Sequence, residues 1–121
     1  MTEGVVIIES TELARRVVEL AEEKQASDIV MLDLRPLNAV ADYFVICSGE
    51  SDRQLRAILQ AIDEGVSRST GLEARPEGTP ASGWVLLDYG DVVVHIFSAT
   101  MRDYYRLERL WSKATPVVVV Q

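Results

Sequence analysis

The segment Trp84–Phe97, in the last third of the chain, has the pattern of a β-hairpin. Its two halves, Trp84–Tyr89 and Val92–Phe97, are rich in β-branched, aromatic and other apolar residues, as strands are. Gly90-Asp91 between them is a pair that suits a two-residue hairpin turn. With that turn, strand pairing puts Asp88 opposite Val93 and Leu86 opposite His95. The hairpin therefore predicts two antiparallel strands with Asp88 and His95 diagonally placed on one face.

The rest of the chain alternates between helical and strand-like periodicity. The first predicted elements are a helix capped by Ser10 or Thr11 and ending near Lys24, and two strands at Asp28–Leu34 and Asp42–Ser48. A second helix is opened by a capping box at Ser51–Gln54 and ended at Gly71, and it is followed by a short strand at Leu72–Arg75, a flexible link at Gly78–Gly83 and the hairpin. A last helix is predicted from about Thr100 to Trp111, with four residues toward the core: Tyr104, Leu107, Leu110 and Trp111. The tail Val117–Val120 either adds an edge strand or stays loose.

This order predicts an α/β (α+β) fold with a mixed five-stranded sheet and helices packed on it. The strand, helix and strand between residues 42 and 75 are expected to form a right-handed crossover that joins parallel neighbours. Arg35–Ala41 is long enough for the first two strands to pair antiparallel. At 121 residues the chain is expected to be a single domain, 1–121.

Composition limits the partners more than it limits the fold. The formal net charge is −7, and the twelve Lys and Arg residues are scattered, so direct nucleic-acid binding is disfavoured and a basic protein is the better partner. No apolar run approaches the roughly 20 residues that span a membrane, and no signal peptide is recognisable, so a cytoplasmic location is expected. The single cysteine, Cys47, lies in an apolar run and is expected to be a buried hydrophobic residue.

The sequence allows two catalytic interpretations. Asp88, Asp91 and His95 could hold a metal or act as acid and base, but Asp91 lies at the turn and no third ligand accompanies the other two. The stronger interpretation is that the two Asp residues form the turn and that His95 is hydrogen-bonded locally.

The second catalytic interpretation concerns Gly49-Glu50-Ser51, which follows a strand and precedes a helix, as a phosphate-binding turn does. In nucleotidyltransferases the next strand carries two acids that hold magnesium. Here that strand, Leu72–Arg75, has no such pair. We therefore expect no catalytic residue, no metal and no cofactor.

A binding interpretation of the hairpin rests on its aromatic residues. Trp84 and Tyr89 stand near the two ends of one strand, with acids nearby, and this is the composition of a protein interface with a polar rim. The tyrosines and tryptophan of the last helix are better explained by core packing or self-association.

These segments resemble the ribosomal silencing factor family, whose members are also called Iojap-related proteins. The resemblance covers about residues 11–112 and is carried by Asp28–Leu34, Asp42–Gly49, Ser51–Gln54, Glu77-Gly78, Trp84–Phe97 and Arg102–Trp111. It implies a nucleotidyltransferase-like fold that has lost its active site. It also implies a non-enzymatic translational repressor, a homodimer when free, which binds the large ribosomal subunit through ribosomal protein L-fourteen and blocks joining of the small subunit, especially under nutrient limitation.

The family's contact residues match Trp84 and Tyr89. From their positions we add Glu77, Asp88 and Asp91 to the predicted partner-binding site. A nucleotide-dependent transferase that uses Gly49–Ser51 is one alternative function. A dimeric scaffold that associates through its last helix is another.

Overall fold

The fold was analysed in a computed structural model that describes residues 8–37, 39–105 and 114–120. The helices and strands in these ranges are α1 (Ser10–Glu23), β1 (Ser27–Asp33), β2 (Tyr43–Gly49), α2 (Asp52–Thr70), β3 (Arg75–Thr79), β4 (Trp84–Asp88), β5 (Val92–Ser98), α3 (Ala99–Tyr105) and β6 (Thr115–Val120). The described strands form one sheet of six, in the order β3-β4-β5-β2-β1-β6. The predicted mixed sheet is confirmed, and β6 is the sixth strand, at the edge beside β1.

The partner of the central strand differs from the prediction. β2 pairs in parallel with β5, from Tyr43 opposite Val92 to Gly49 opposite Ser98, and not with the strand that directly follows α2. That strand, β3, begins at Arg75 instead of Leu72 and pairs antiparallel with β4. The prediction of parallel neighbours across residues 42–75 is therefore wrong. β1 and β2 pair antiparallel, as predicted.

The predicted flexible link between β3 and β4 is a structured turn, and this explains the sheet order. Thr79 Oγ1 accepts a hydrogen bond from Ser82 N at 3.3 Å, and Ser82 Oγ accepts one from Thr79 N at 3.4 Å, so the two residues cap a 3₁₀ turn at Pro80–Ser82. Gly83 ends this turn with φ +83°. The compact reversal folds β3 directly back onto β4, which places β3 at the sheet edge.

The two long helices begin differently. At α2 the Ser51 half of the predicted capping box is confirmed, since Ser51 Oγ accepts a hydrogen bond from Gln54 N at 3.1 Å, and Gly71 ends the helix with φ +78°. The other half differs, because Gln54 Oε1 accepts from Glu50 N at 2.6 Å instead of from Ser51 N. At α1 the N-cap residue is Glu9, and neither predicted residue caps the helix. Ser10 Oγ instead donates to Asp42 Oδ2 at 2.8 Å. This hydrogen bond ties the start of α1 to the residue before β2.

Both long helices pack on the same face of the sheet. The buried residues of the helices recur at the spacing of one helix face, as predicted: Leu13, Ala14, Val17, Val18, Leu20 and Ala21 on α1, and Leu55, Ile58, Ile62 and Val66 on α2. They meet a layer of buried strand side chains: Ile29, Met31, Tyr43, Val45, Cys47, Val85, Leu87, Val92, Val94 and Ile96. This layer is the main core. In the part of the chain that the structure describes, no helix is long and apolar enough to cross a membrane.

The opposite face of the sheet carries a smaller buried cluster. Its buried members are Leu32, Leu34, Ala41, Ile46, Phe97 and Ala114. Tyr104, which was expected in the core, is 73% exposed on α3, so that prediction is wrong. The other three core residues expected of the last helix, Leu107, Leu110 and Trp111, lie outside the described residues.

Cys47 is fully buried, as predicted, and burial raises the pKa of its thiol to about 12. Because the thiolate is the reactive form, we expect Cys47 not to react with iodoacetamide at pH 8 in the folded protein and to react fully in guanidinium chloride. Mass spectrometry of the two samples measures the labelled fraction. Rapid labelling of the folded chain would contradict the buried position.

Candidate functional site

Strand β4 separates its side chains cleanly between the two faces of the sheet. Val85 and Leu87 are buried in the main core, while Trp84, Leu86 and Asp88 point to the opposite face and stay partly exposed. This is the two-residue alternation of a strand that is covered on one side. Leu86 therefore lies with Trp84 on the open face.

The register of the hairpin is the one predicted from its turn. Asp88 lies opposite Val93 and Leu86 lies opposite His95. The turn is closed by a hydrogen bond from Tyr89 N to Val92 O at 2.9 Å, and Gly90 has φ +89°. Asp88 and His95 consequently share one face, as expected.

His95 is engaged with aromatic residues and not with the nearby acid. Its Nδ1 accepts a hydrogen bond from Trp84 Nε1 at 3.2 Å. The imidazole ring meets Phe44 edge-on, with 4.7 Å between ring centroids, and Phe97 lies nearly parallel to it at 6.2 Å. The indole ring of Trp84 stacks on Phe97 at 5.0 Å. Burial lowers the pKa of His95 to about 4, so the imidazole is neutral at pH 7.

An open groove of about 380 Å³ lies along the exposed side of Trp84. Its lining residues come from β3, the turn after it, β4 and α3: Glu77, Gly78, Ser82, Trp84, Leu86 and Met101. Glu77 is directly opposite Leu86 on the neighbouring strand. We call this feature the Trp84 groove. It has an apolar floor and an exposed carboxylate on its β3 side.

Gly78 allows the two strands of the groove to come together. It has φ +79°, and a Cβ atom there would collide with the backbone oxygen of Trp84. We expect Gly78→Ala to lower the free energy of unfolding by about 2–5 kcal/mol, the sum of backbone strain and steric overlap. Gly90→Ala is the matched control, since Gly90 has φ +89° with no atom within 4 Å of the added carbon. It should cost only the backbone strain, about 1–2 kcal/mol. Equal losses of unfolding free energy in the two variants, measured by urea unfolding, would contradict the close approach of Gly78 to the Trp84 backbone.

The predicted site residues do not all come together. Glu77 lines the Trp84 groove, and Asp88 lies on the same face farther along β4. Asp88 is already engaged, because Oδ1 accepts from Gly90 N at 2.8 Å and Oδ2 lies 3.7 Å from Arg75 Nη2. Asp91 is exposed at the hairpin turn, where its backbone oxygen accepts from Asp42 N at 2.8 Å.

Tyr89 lies at the far end of β4 from Trp84 and packs against the main core, on the side of the long helices. Burial, with a smaller contribution from the Asp63 carboxylate of α2, raises the pKa of the Tyr89 hydroxyl above its ordinary value. The structure therefore brings Glu77 and Trp84 together and leaves Tyr89 apart from them. A partner contact by Tyr89 or Asp91 stays a prediction.

The Gly49-Glu50-Ser51 turn is occupied by a side chain of the helix that follows it. Gln54 Oε1 accepts a hydrogen bond from Glu50 N at 2.6 Å, and Gln54 Nε2 donates to Lys24 O and Gln25 O at 3.1 and 2.9 Å. Two of the backbone N–H groups at this helix start, those of Glu50 and Gln54, are thus already paired with side chains and not free for a phosphate. Among residues 8–37, 39–105 and 114–120, no three His, Cys, Asp or Glu side chains are placed to share a metal ion.

Four residues that line the groove were not predicted as site residues: Gly78, Ser82, Leu86 and Met101. Leu86 could have been found from the sequence, because strand alternation puts it on the same face as Trp84. Met101 had no such signal, since it reaches the groove only through the position of α3 against β5.

Comparisons with known proteins identify the family. The family described as "Ribosomal silencing factor during starvation" matches residues 7–121, which includes β6. A ribosomal silencing factor of Bacillus subtilis is 44% identical over 93 residues, or 77% of this chain and 79% of that protein. One from Halalkalibacterium halodurans is 40% identical over 107 residues, or 88% and 91% of the two chains. The crystal structure of a Chromobacterium violaceum protein superposes with a TM-score of 0.81 at 32% identity, over 92% of this chain and 94% of that one. The chain therefore belongs to the ribosomal silencing factor family.

Proposed function

We propose that this chain represses translation by binding the large ribosomal subunit through the Trp84 groove and so blocking association with the small subunit. Membership in the family supports the coarser part of this statement, a ribosome-associated repressor of translation. The choice of ribosomal protein L-fourteen as the contact follows from the resemblance of the hairpin to the family's binding residues.

The observation that carries the proposal is the state of Trp84. Its indole ring is partly exposed, yet its inner side rests on Phe97 and its nitrogen is hydrogen-bonded to His95. A large aromatic side chain that is already held in place loses little conformational entropy when a partner covers it. Tryptophan in such a position is the residue type most enriched among binding hot spots.

The surroundings of the groove favour a basic partner. Glu77 is exposed beside the apolar floor, and the whole chain carries a formal net charge of −7. Ribosomal RNA would repel such a surface, whereas a basic ribosomal protein would be attracted to it. The acidic rim is expected to raise the association rate and to orient the partner, while burial of Trp84 and Leu86 supplies most of the affinity.

Repression needs no chemical step in this mechanism. A domain bound at the subunit interface occupies space that the small subunit must enter, so joining falls in proportion to the occupied fraction of large subunits. The pairing of the Gly49–Ser51 turn by Gln54 favours this mechanism over the transferase alternative.

Sedimentation with purified subunits tests the proposal. We expect the chain to sediment with large subunits and not with small subunits, and the yield of joined ribosomes to fall as bound chain increases. Raising the salt concentration should weaken binding. Binding without any effect on joining would contradict the steric mechanism. Failure to bind large subunits would contradict the proposal as a whole.

The homodimer and the cytoplasmic location inferred from the sequence also belong to the proposal. β6 forms an edge of the described sheet, with Val117 and Val119 exposed by 39% and 58%, and an edge of this kind can pair with another strand. Analytical ultracentrifugation of the free chain, with and without large subunits, distinguishes a dimer that dissociates on binding from a scaffold that binds as a dimer.

A further inference from the structure

His95 lies directly beneath the proposed binding surface and does not line the Trp84 groove. It is 5% exposed, and it sits opposite Leu86 and diagonal to Trp84 across the β4–β5 pair. Its contact with the surface is the hydrogen bond of 3.2 Å that Nδ1 accepts from Trp84 Nε1. The strand register places these two side chains close together, and the acceptor on His95 gives the indole nitrogen a bond directed into the protein.

The imidazole ring is itself held by its neighbours. Phe44 of β2 contacts it edge-on, and Phe97, two residues along β5, lies nearly parallel to it with an angle of 8° between planes. Phe97 also supports Trp84 from below. The acceptor atom is therefore fixed in place by rings on two strands, and it fixes the indole in turn.

Within the part of the chain that the structure describes, this arrangement leaves one polar group of His95 buried without a partner. Because Nδ1 accepts from Trp84, the single proton of the neutral ring is on Nε2. His95 Nε2 is buried and has no hydrogen-bond partner among the described residues. A buried donor without an acceptor destabilises the fold, and an apolar side chain of similar size would avoid that loss. Stability alone therefore does not explain a histidine here.

We propose that His95 is a positioning residue for binding: it orients the Trp84 indole for the partner through the Nδ1 hydrogen bond. This inference rests on the proposed function of the Trp84 groove. It assigns to the lone histidine of the chain a role that is neither metal binding nor acid–base chemistry.

The test compares two nearly isosteric replacements, His95→Asn and His95→Leu. Asn carries an oxygen one bond from Cγ, where Nδ1 stands in histidine, so it keeps the acceptor for the indole. Leu fills the same space without an acceptor. We expect His95→Leu to weaken binding to purified large subunits about fivefold, the scale of one hydrogen bond, and His95→Asn to stay close to the wild type.

The free energy of unfolding should rank the two variants in the order opposite to their affinity for large subunits. His95→Leu buries an apolar group and should unfold at a higher urea concentration than His95→Asn. A purely structural role predicts that the more stable variant binds better. Binding that follows stability, or equal binding by the two variants, overturns the proposal.

Placing both His95 variants in a Trp84→Phe chain isolates the interaction between His95 and Trp84. Phenylalanine has no indole nitrogen, so in this background the Asn and Leu variants should bind equally, which is the expected result of a double-mutant cycle for a direct interaction. In ¹H–¹⁵N spectra, the signal of the Trp84 indole N–H should exchange with deuterium faster in His95→Leu than in His95→Asn. This signal reports the hydrogen bond without ribosomes.

If the signal behaves as expected but the wild-type chain does not bind large subunits, the proposed function fails while the hydrogen bond stands. If the wild type binds and the two variants do not differ, the positioning role fails alone.

Discussion

Replacing Trp84 with alanine is expected to weaken binding to the large ribosomal subunit by about 2 kcal/mol or more, which is roughly thirtyfold. The change removes the aromatic surface of the groove and with it the side chain that Phe97 and His95 hold in place. Titration of fluorescently labelled chain with purified large subunits measures the dissociation constant. Trp84→Phe should lie between the wild type and alanine, because it keeps a ring but loses the indole nitrogen.

The control for this experiment is Leu72→Ala. Leu72 is 37% exposed and follows Gly71, which ends α2 on the face of the sheet opposite to the groove, so the variant removes exposed apolar surface away from the groove. It should bind as the wild type does. Circular dichroism must show that Trp84→Ala is folded at the temperature of the titration. A folded Trp84→Ala chain with wild-type affinity would exclude the groove as the binding surface.

Mild acid is expected to destabilise the protein through His95. Burial lowers the pKa of His95 to about 4 in the folded chain, while the unfolded chain keeps the ordinary value of about 6.5. As the pH falls below 6.5, the unfolded state therefore takes up a proton before the folded state does. The contribution of neutral His95 to stability is complete above pH 6.5 and is lost as the pH falls toward 4. Between pH 7 and pH 5 the free energy of unfolding should fall by about 2 kcal/mol.

Urea unfolding of the wild type and of His95→Leu at both pH values separates this effect from other titrations. The leucine variant should show little of the decrease, since the group that titrates is gone. Asp33 does not interfere, because its hydrogen bonds to Arg35 hold the pKa of that carboxyl below its ordinary value of 3.8. A decrease of the same size in both chains would assign the effect to another group.

Local sequence signals predicted the parts of the fold that depend on neighbouring residues. The turn at Gly90-Asp91 sets the hairpin register, because two strands joined by a two-residue loop have few ways to pair. α2 begins after Ser51 and ends at Gly71, because a hydroxyl cap and a left-handed glycine satisfy the backbone groups at the two helix ends within the same few residues. Cys47 is buried because the run around it is apolar almost without interruption.

The predictions that failed depended on contacts between distant segments. The parallel neighbour of β2 is β5 because the structured turn at Thr79–Gly83 returns β3 to β4, and local periodicity does not reveal which strand a chain returns to. Ser10 does not cap α1 because its hydroxyl bonds to Asp42, 32 residues away. Tyr104 lies at helical spacing with leucines in the sequence, yet its side chain is exposed on α3.

The sequence by itself determined the hairpin, the acidic surface and the family, because turn chemistry, charge and residue identity are local properties that need no folding to be read. Strand alternation already implies that Trp84 and Tyr89, five residues apart, face different sides of the sheet. Only the tertiary structure decided that the long helices cover the Tyr89 side and that Glu77 and Met101 join Trp84 in one groove. It also decided that His95 Nδ1 accepts a hydrogen bond from the indole nitrogen of Trp84. These facts depend on strand order and on the packing of α3, which arise when segments far apart in the chain bury their apolar faces together.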